Sequence, residues 1–396
     1  LPLFAKEYQF TSTQIGLLLA AFPMCQLVAG PILGRLSDRY GRRPLLVISQ
    51  LGTALSFVIL GMSRDFTVML LARMLDGASG GNILVAQAYV ADVTKPEDRA
   101  RGLGLIGAAF GVGFVLGPLL GLLLVSPKVA PEWRLRLPFL VAGGFSMLAW
   151  ILVVVRLPES LPTDPAARQR ARVVSWRGLL DVMGEPRIGL LVAVGALVVL
   201  AFAVLEGTFS LFLGRRLGWD VRRAALAFAF LGLVSALVQG GLIRRLVPRF
   251  GEPRLILVGI AALIVGFAGL ALVRDWPALL VATLVVGVGQ GLCSPTVSGL
   301  LSRVTPASEQ GAVFGTLTSA QTLARLINYL LANHLLGDNL SAPFWEAAGI
   351  AALALLVAFW TIYGVIGPGS VTDRDAPPEG DQAPTEVGIP GPADRR

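Results

Sequence analysis

Long, mostly apolar stretches of about 20 residues or more follow one another along the chain, broken by short links that carry arginine, proline or glycine. The runs are continuous rather than alternating, so they predict helices long enough to cross a hydrocarbon core of ~30 Å. They fall at 13–36, 45–63, 66–92, 99–126, 137–156, 187–213, 221–246, 254–273, 277–302, 308–336 and 342–366, eleven in all. Strands are not expected, because a membrane barrel needs short segments of alternating character. From 157 to 186 runs a polar link with Pro158, Glu159, Ser160, Arg168, Arg170, Arg172, Trp176 and Arg177. Beyond 366 the tail, with Thr372, Asp373, Arg374, Pro377, Pro378 and Glu379, has too little apolar content to fold and is expected to be disordered.

An internal repeat organises the runs. Shifted by 210 residues, Leu3 meets Leu213, Gly30 meets Gly240, Arg39 meets Arg249 and Gly41 meets Gly251. Arg64-Asp65-Phe66 likewise meets Arg274-Asp275-Trp276, and Pro96 meets Pro306. Chance apolar similarity would not keep turn residues and loop charges in register, so two homologous halves in parallel orientation are expected. The halves are read as 1–156 and 187–366, joined by the link 157–186, with 367–396 as the tail. In the same register, 187–213 would pair with a helix preceding residue 1. The expectation is therefore a twelve-span, six-plus-six protein lacking its first helix here, with Leu1-Pro2-Leu3-Phe4 as that helix's outer end. A natural eleven-span protein is the other reading.

Composition agrees with the membrane. Of 396 residues 55% are hydrophobic and 15% charged, where a soluble protein carries about 25% charged residues. The net charge of +8 lies mostly at span ends, which points to membrane topology and away from nucleic acid. The links 34–44, 95–101, 157–186 and 244–254 hold 15 of the 33 Lys and Arg and are assigned to the cytoplasmic face; Arg215, Arg216, Arg222 and Arg223 are the exception. The three lysines, Lys6, Lys95 and Lys128, lack the glycine framework of a phosphate loop, so nucleotide hydrolysis is not expected. Cys25 and Cys293 fall inside apolar runs, and the single His334 makes no metal cluster, so no cofactor or metal is assigned.

One loop is more specific. Gly34-Arg35-Leu36-Ser37-Asp38-Arg39-Tyr40-Gly41-Arg42-Arg43-Pro44 resembles the loop between helices 2 and 3 of the major facilitator superfamily, G-x-L-(A/S)-D-R-x-G-R-(R/K). Arg73-Met74-Leu75-Asp76-Gly77 is similar to the family's helix-4 motif R-x-x-Q-G, with Asp76 in place of Gln. Gly107, Gly111, Gly113 and Gly117-Pro118-Leu119-Leu120-Gly121 resemble the helix-5 G-x-x-x-G-P-x-x-G motif associated with antiporters. Ala91-Asp92-Val93-Thr94 with Glu97-Asp98-Arg99 resembles the 4–5 loop of tetracycline-type drug/proton antiporters. The resemblance implies an all-α polytopic protein with the major facilitator fold, and transport rather than catalysis.

Candidate residues follow. The loop residues Gly34, Asp38, Arg39, Gly41, Arg42 and Arg43 are expected to act as a gate or, more simply, as a positive-inside anchor. In the family the loop aspartate meets the N-terminus of helix 11, here near Pro306-Ala307-Ser308, while Arg39 and Arg42 would meet Asp92 or Glu97. In the second half Pro248 replaces the aspartate and Arg244 the first glycine, so the latch is expected to be one-sided. Gly107, Gly111, Gly117, Pro118 and Gly121 would allow close helix approach and a bend.

Arg73 and Asp76, three apart on one helix face, are either a coupling pair or a static one. Glu206, a lone acid in an apolar span, could exchange a proton, bind a cationic drug, or pair with an outer arginine such as Arg215. Gln321, Arg325 and Asn328 form one polar stripe, and Gln26, Asn82, Gln87, Gln239 and Gln290 add uncharged polar groups that line a cavity or bridge helices. Arg325 also admits an anionic or zwitterionic substrate.

The reading is a proton-coupled antiporter of the cell (inner) membrane, from a bacterial source, exporting small amphipathic compounds. Its partners would be a small-molecule substrate, protons and the bilayer, with no nucleic acid, and it is read as a monomer. A metabolite or sugar transporter on the same fold is the alternative.

Overall fold

The computed structural model describes residues 10–94, 99–125, 129–160, 184–306 and 310–366. Lys95, Glu97, Lys128, Ala307, Ser308, most of the link 157–186 and the tail beyond 366 lie outside them. The side-chain surroundings of Gly107, Gly111, Phe110, Phe114, Pro118 and His334 also lie outside the description.

Among the described residues the chain is helical throughout, with α1 (Ser12–Tyr40), α2 (Arg42–Met62), α3 (Phe66–Gly80), α4 (Asn82–Val93), α5 (Arg99–Leu124), α6 (Pro131–Arg134) and α7 (Leu137–Arg156). There follow α8 (Pro186–Leu217), α9 (Val221–Leu237), a π-turn at Val238–Leu242, α10 (Ile243–Leu272), α11 (Trp276–Val304), α12 (Gln310–Asp338) and α13 (Ala342–Trp360), which ends in a π-turn at Thr361–Ile366. Eight helical stretches among the described residues are long and apolar enough to cross a bilayer. One of them, Arg222–Leu272, takes in two of the runs read from the sequence and bends at Gly251, whose φ of 74° no side chain tolerates well.

The repeat is written into backbone detail. Asp65 caps α3 by accepting from the Val68 amide at 3.0 Å, and Asp275, 210 residues on, caps α11 by accepting from the Ala278 amide at 2.9 Å. Gly41 and Gly251 both take left-handed φ with ψ near 150°, where the chain turns from one helix into the next. Span 66–92 is not one smooth helix. It breaks at Gly81, where a Cβ would meet the backbone of Gly30 at 2.9 Å, so α1 and the α3–α4 junction approach backbone to backbone.

Helices α1, α2, α3 and α7 pack mainly on one another, as do α8, α10, α11, α12 and α13. The two groups meet where α1 lies along α12 and where α5 lies along α9. Leu18, Leu19 and Ala72 of the first group share a continuous buried cluster with Val194, Val198, Ala201 and Val204 of α8.

Candidate transport site

Two polar constellations stand out in this apolar frame. The first is at the end of the bundle that carries Gly34–Pro44. Arg42 is 1% exposed; its guanidinium meets Asp38 at 2.5 Å and Asp92 at 3.0 Å, and donates to the Ser37 hydroxyl at 2.6 Å. The Glu159 carboxylate accepts from the free amides of Arg42 (2.8 Å) and Arg43 (3.1 Å), capping α2 at the point where the link leaves α7. Arg43 also donates to the Val154 carbonyl at 2.7 Å, and Ser160 to Asp92 at 3.2 Å. The Gly34 carbonyl accepts from Ser37 at 2.7 Å, and Arg39 stacks over Tyr40 at 5.4 Å. Of the two expected partners of Arg42, Asp92 is the one observed; the helix terminus near 307–309 lies outside the described residues.

The second half keeps the departures Pro248 and Arg244 and holds a different ion pair beside them. At the position 210 residues after Arg42 stands Glu252, 6% exposed, and it pairs with Arg303 at 3.0 Å. Arg303 sits one residue beyond the counterpart of Asp92, at the end of α11. Each half therefore holds a buried charge just after its left-handed glycine, paired to the end of a neighbouring helix, with the polarity reversed.

The second constellation lies within the membrane. Arg73 and Asp76 of α3 form an ion pair at 2.8 Å, with Asp76 buried. Arg73 is further held by the Leu18 carbonyl at 3.2 Å and by the Phe22 ring at 4.9 Å. On the other side, Glu206 of α8 accepts a hydrogen bond from the Tyr329 hydroxyl of α12 and meets Arg325 of α12 at 3.6 Å. Arg325, not Arg215, is its cation. Arg325 and Tyr329 lie one turn apart on α12, and both side chains meet the same Glu206 carboxylate of α8.

Arg325 is 41% exposed along its side chain. The exposed apolar face of α12 is made by Leu323, Ile327, Leu330 and Leu331, and Arg325, two residues past Leu323, is rotated from it by about 200°. Its exposure therefore opens toward the interior of the bundle and not toward lipid.

The uncharged candidates divide. Gln26 donates to the Gly80 carbonyl at 2.9 Å, Asn82 to Gln50 at 3.4 Å, and Asn328, fully buried, to the Leu200 carbonyl at 2.9 Å, so these bridge helices. Gln290 and Asn328 each keep a buried carbonyl oxygen without a partner. Gln321 is half-buried beside Gly195, and Gln87 and Gln239 are half-buried on α4 and in the π-turn. A Cβ at Gly117 or Gly121 would meet open space, so no helix presses on that part of α5 in this conformation. Tyr329 was missed in the sequence because one aromatic in an apolar run reads as packing. Its place beside Arg325 and Asn328, on the same stripe, was the available signal.

A family model described as Major Facilitator Superfamily matches residues 1–327 and 245–389. The chain is 28% identical over 350 residues to the class B tetracycline resistance protein of Escherichia coli, covering 87% of this chain and 85% of that one. It is 31% identical over 351 residues to the class C protein of the same organism, with the same coverage. Among solved structures it resembles the human organic anion transporter MFSD10 (TETRAN), with a TM-score of 0.68 and 25% identity over 90% of this chain and 87% of the other.

Proposed function

The chain belongs to the Major Facilitator Superfamily, and from that premise we propose that it is a proton-coupled antiporter exporting small amphipathic compounds, tetracycline-like molecules among them, by alternating access. It is a multi-pass membrane transporter and not an enzyme. The proposal includes eleven crossings within the chain as given, residues 1–156 and 187–366 as the two rocking units with 157–186 as their link, a monomer as the working unit, and the bacterial inner membrane as the location.

The observation that carries the reading is two ion pairs in apolar spans, Arg73–Asp76 within α3 and Glu206–Arg325 between α8 and α12, the second also held by Tyr329. Ionisable side chains there are costly, at least ~2.5 kcal/mol each on insertion scales, and such groups usually serve a solvated route or one another. Protonation of Asp76 or Glu206 would break the ion pair that carboxylate makes and favour one arrangement of the halves over the other. A proton shifts that equilibrium only by its difference in affinity for the two states. The supply is sufficient: each entering proton releases about 2.3 kcal/mol per 100 mV and about 1.4 kcal/mol per pH unit.

Tetracycline uptake into inverted vesicles, where export runs inward, tests this with Asp76→Asn and Glu206→Gln. Each variant is expected to lose proton-dependent export; full retention by both would overturn the coupling role. A second reading, export or uptake of an anionic metabolite, draws on the interior-facing Arg325. Substrate added to proteoliposomes separates the two by the sign of the proton movement, since exchange and co-transport move protons in opposite directions relative to substrate.

A further inference from the structure

A trough of about 410 Å³ lies on the surface where α9 passes through its π-turn into α10, lined by Leu237, Val238, Gly241, Leu242 and Arg245. The spacing puts these residues along one side of the helical rod. The opposite side of α9 is occupied by α11: Ser235 donates to the Gly287 carbonyl at 3.1 Å, and Val234 presses on Gly287. Leu233 and Leu237, each two residues from Ser235, are rotated from it by about 160°. They are 48% and 64% exposed, and an exposed leucine face on a membrane helix looks into lipid.

Two details give the trough a preferred occupant. Its floor is open because Gly240 and Gly241 carry no side chain; a Cβ on either would meet nothing within 4 Å, and neither takes a positive φ. Glycine weakens a helix, and this pair makes no left-handed turn and admits no neighbouring helix. What it leaves is room beside Leu237 and Leu242. At the end of the apolar face stand Arg244, Arg245 and Arg249, all exposed. Among the described residues neither Arg244 nor Arg245 makes an ion pair, and the next acid along the chain, Glu252, is already paired with Arg303. Arginine at the end of a span reaches the level of the lipid phosphates, and clustered cations there favour anionic headgroups.

We propose that this trough binds an anionic phospholipid. One acyl chain lies over Gly240 and Gly241 against Leu237 and Leu242, and the phosphate meets Arg245, with Arg244 and Arg249 adding to the positive field. The site is separate from the intramembrane ion pairs and does not depend on which solute is carried.

Native mass spectrometry of the purified full chain tests it, with titrations of phosphatidylglycerol and of phosphatidylethanolamine bearing the same acyl chains. The anionic lipid should be retained more tightly by about fivefold or more. Arg245→Gln should weaken phosphatidylglycerol binding by about fivefold, the worth of one cation at the membrane surface, and Arg245→Lys should keep most of it. Gly241→Leu should weaken it by roughly tenfold, by excluding about two methylenes from the trough. That variant gains helix propensity and meets no neighbour, so it folds. Arg222→Gln, at the other end of α9, should leave binding unchanged.

Equal retention of the two lipids, wild-type affinity in either Arg245→Gln or Gly241→Leu, or an equal loss in Arg222→Gln would overturn the site. A wild-type dimer that excludes lipid and separates in Gly241→Leu would give the trough to a second copy and overturn it as well.

Discussion

Replacing Arg303 by Gln should destabilise the protein more than replacing its partner Glu252, although both changes delete the same ion pair. The difference follows from exposure: the Glu252 side chain is 7% exposed, whereas that of Arg303 is 48% exposed. Without Arg303, the Glu252 carboxylate stays buried with no cation, and breaking a buried pair in this way costs about 3 kcal/mol. In Glu252→Gln, the guanidinium can turn into water, and the loss is that of a half-exposed pair, about 1 kcal/mol or less. The gap of about 2 kcal/mol corresponds to roughly thirtyfold in the folded-to-unfolded ratio. The double variant Glu252→Gln/Arg303→Gln should return close to the Glu252→Gln level, because no charge is left buried and unpaired. Equilibrium unfolding in mixed micelles, followed by tryptophan fluorescence, measures all three. Equal losses in the two single variants, or a double variant no more stable than Arg303→Gln, would refute the reasoning.

Gly41→Ala should cost more than Gly251→Ala in the same unfolding assay. Both place a side chain at φ of 110° or 74° with ψ near 150°, a region open essentially to glycine and costing about 1–3 kcal/mol. At Gly41 the new Cβ would also strike the Glu159 carboxylate, while at Gly251 it meets only Pro253 at 3.6 Å; equal losses would contradict this difference. Gly81→Leu should force α1 away from the α3–α4 junction, since even a Cβ there lies 2.9 Å from the Gly30 backbone. Weakened folding by about 1–3 kcal/mol, together with lower efflux, is expected, and wild-type behaviour would show that the close approach is dispensable.

The first helix group shows how far sequence reasoning reached and where it stopped. The register of Asp65 with Asp275 and of Gly41 with Gly251 was legible in the chain, while the capping hydrogen bonds and left-handed turns they make came from the fold. The Arg73–Asp76 pair was legible because its members lie three residues apart on one helix. The partner of Glu206 was not: Arg325 and Tyr329 lie 119 and 123 residues further along the chain, and nearby Arg215 was the nearer cation in sequence. The Glu252–Arg303 clasp escaped notice because its polarity is opposite to that of Arg42–Asp92 and its second member is displaced by one residue.

The sequence by itself determined that this chain fills a membrane with helices, that a pattern recurs in it at a spacing of 210 residues, and which family it joins. Apolar length, cation-bearing links and a 210-residue register are properties of the covalent chain and of the bilayer as solvent. Tertiary structure alone decided which charge neutralises which. Partner choice between helices depends on their rotation and crossing, and a turn of one residue moves a side chain by about 100° around the axis. That rotation aimed Arg325 into the bundle, set Tyr329 against Glu206, and gave the second half a clasp of reversed sign.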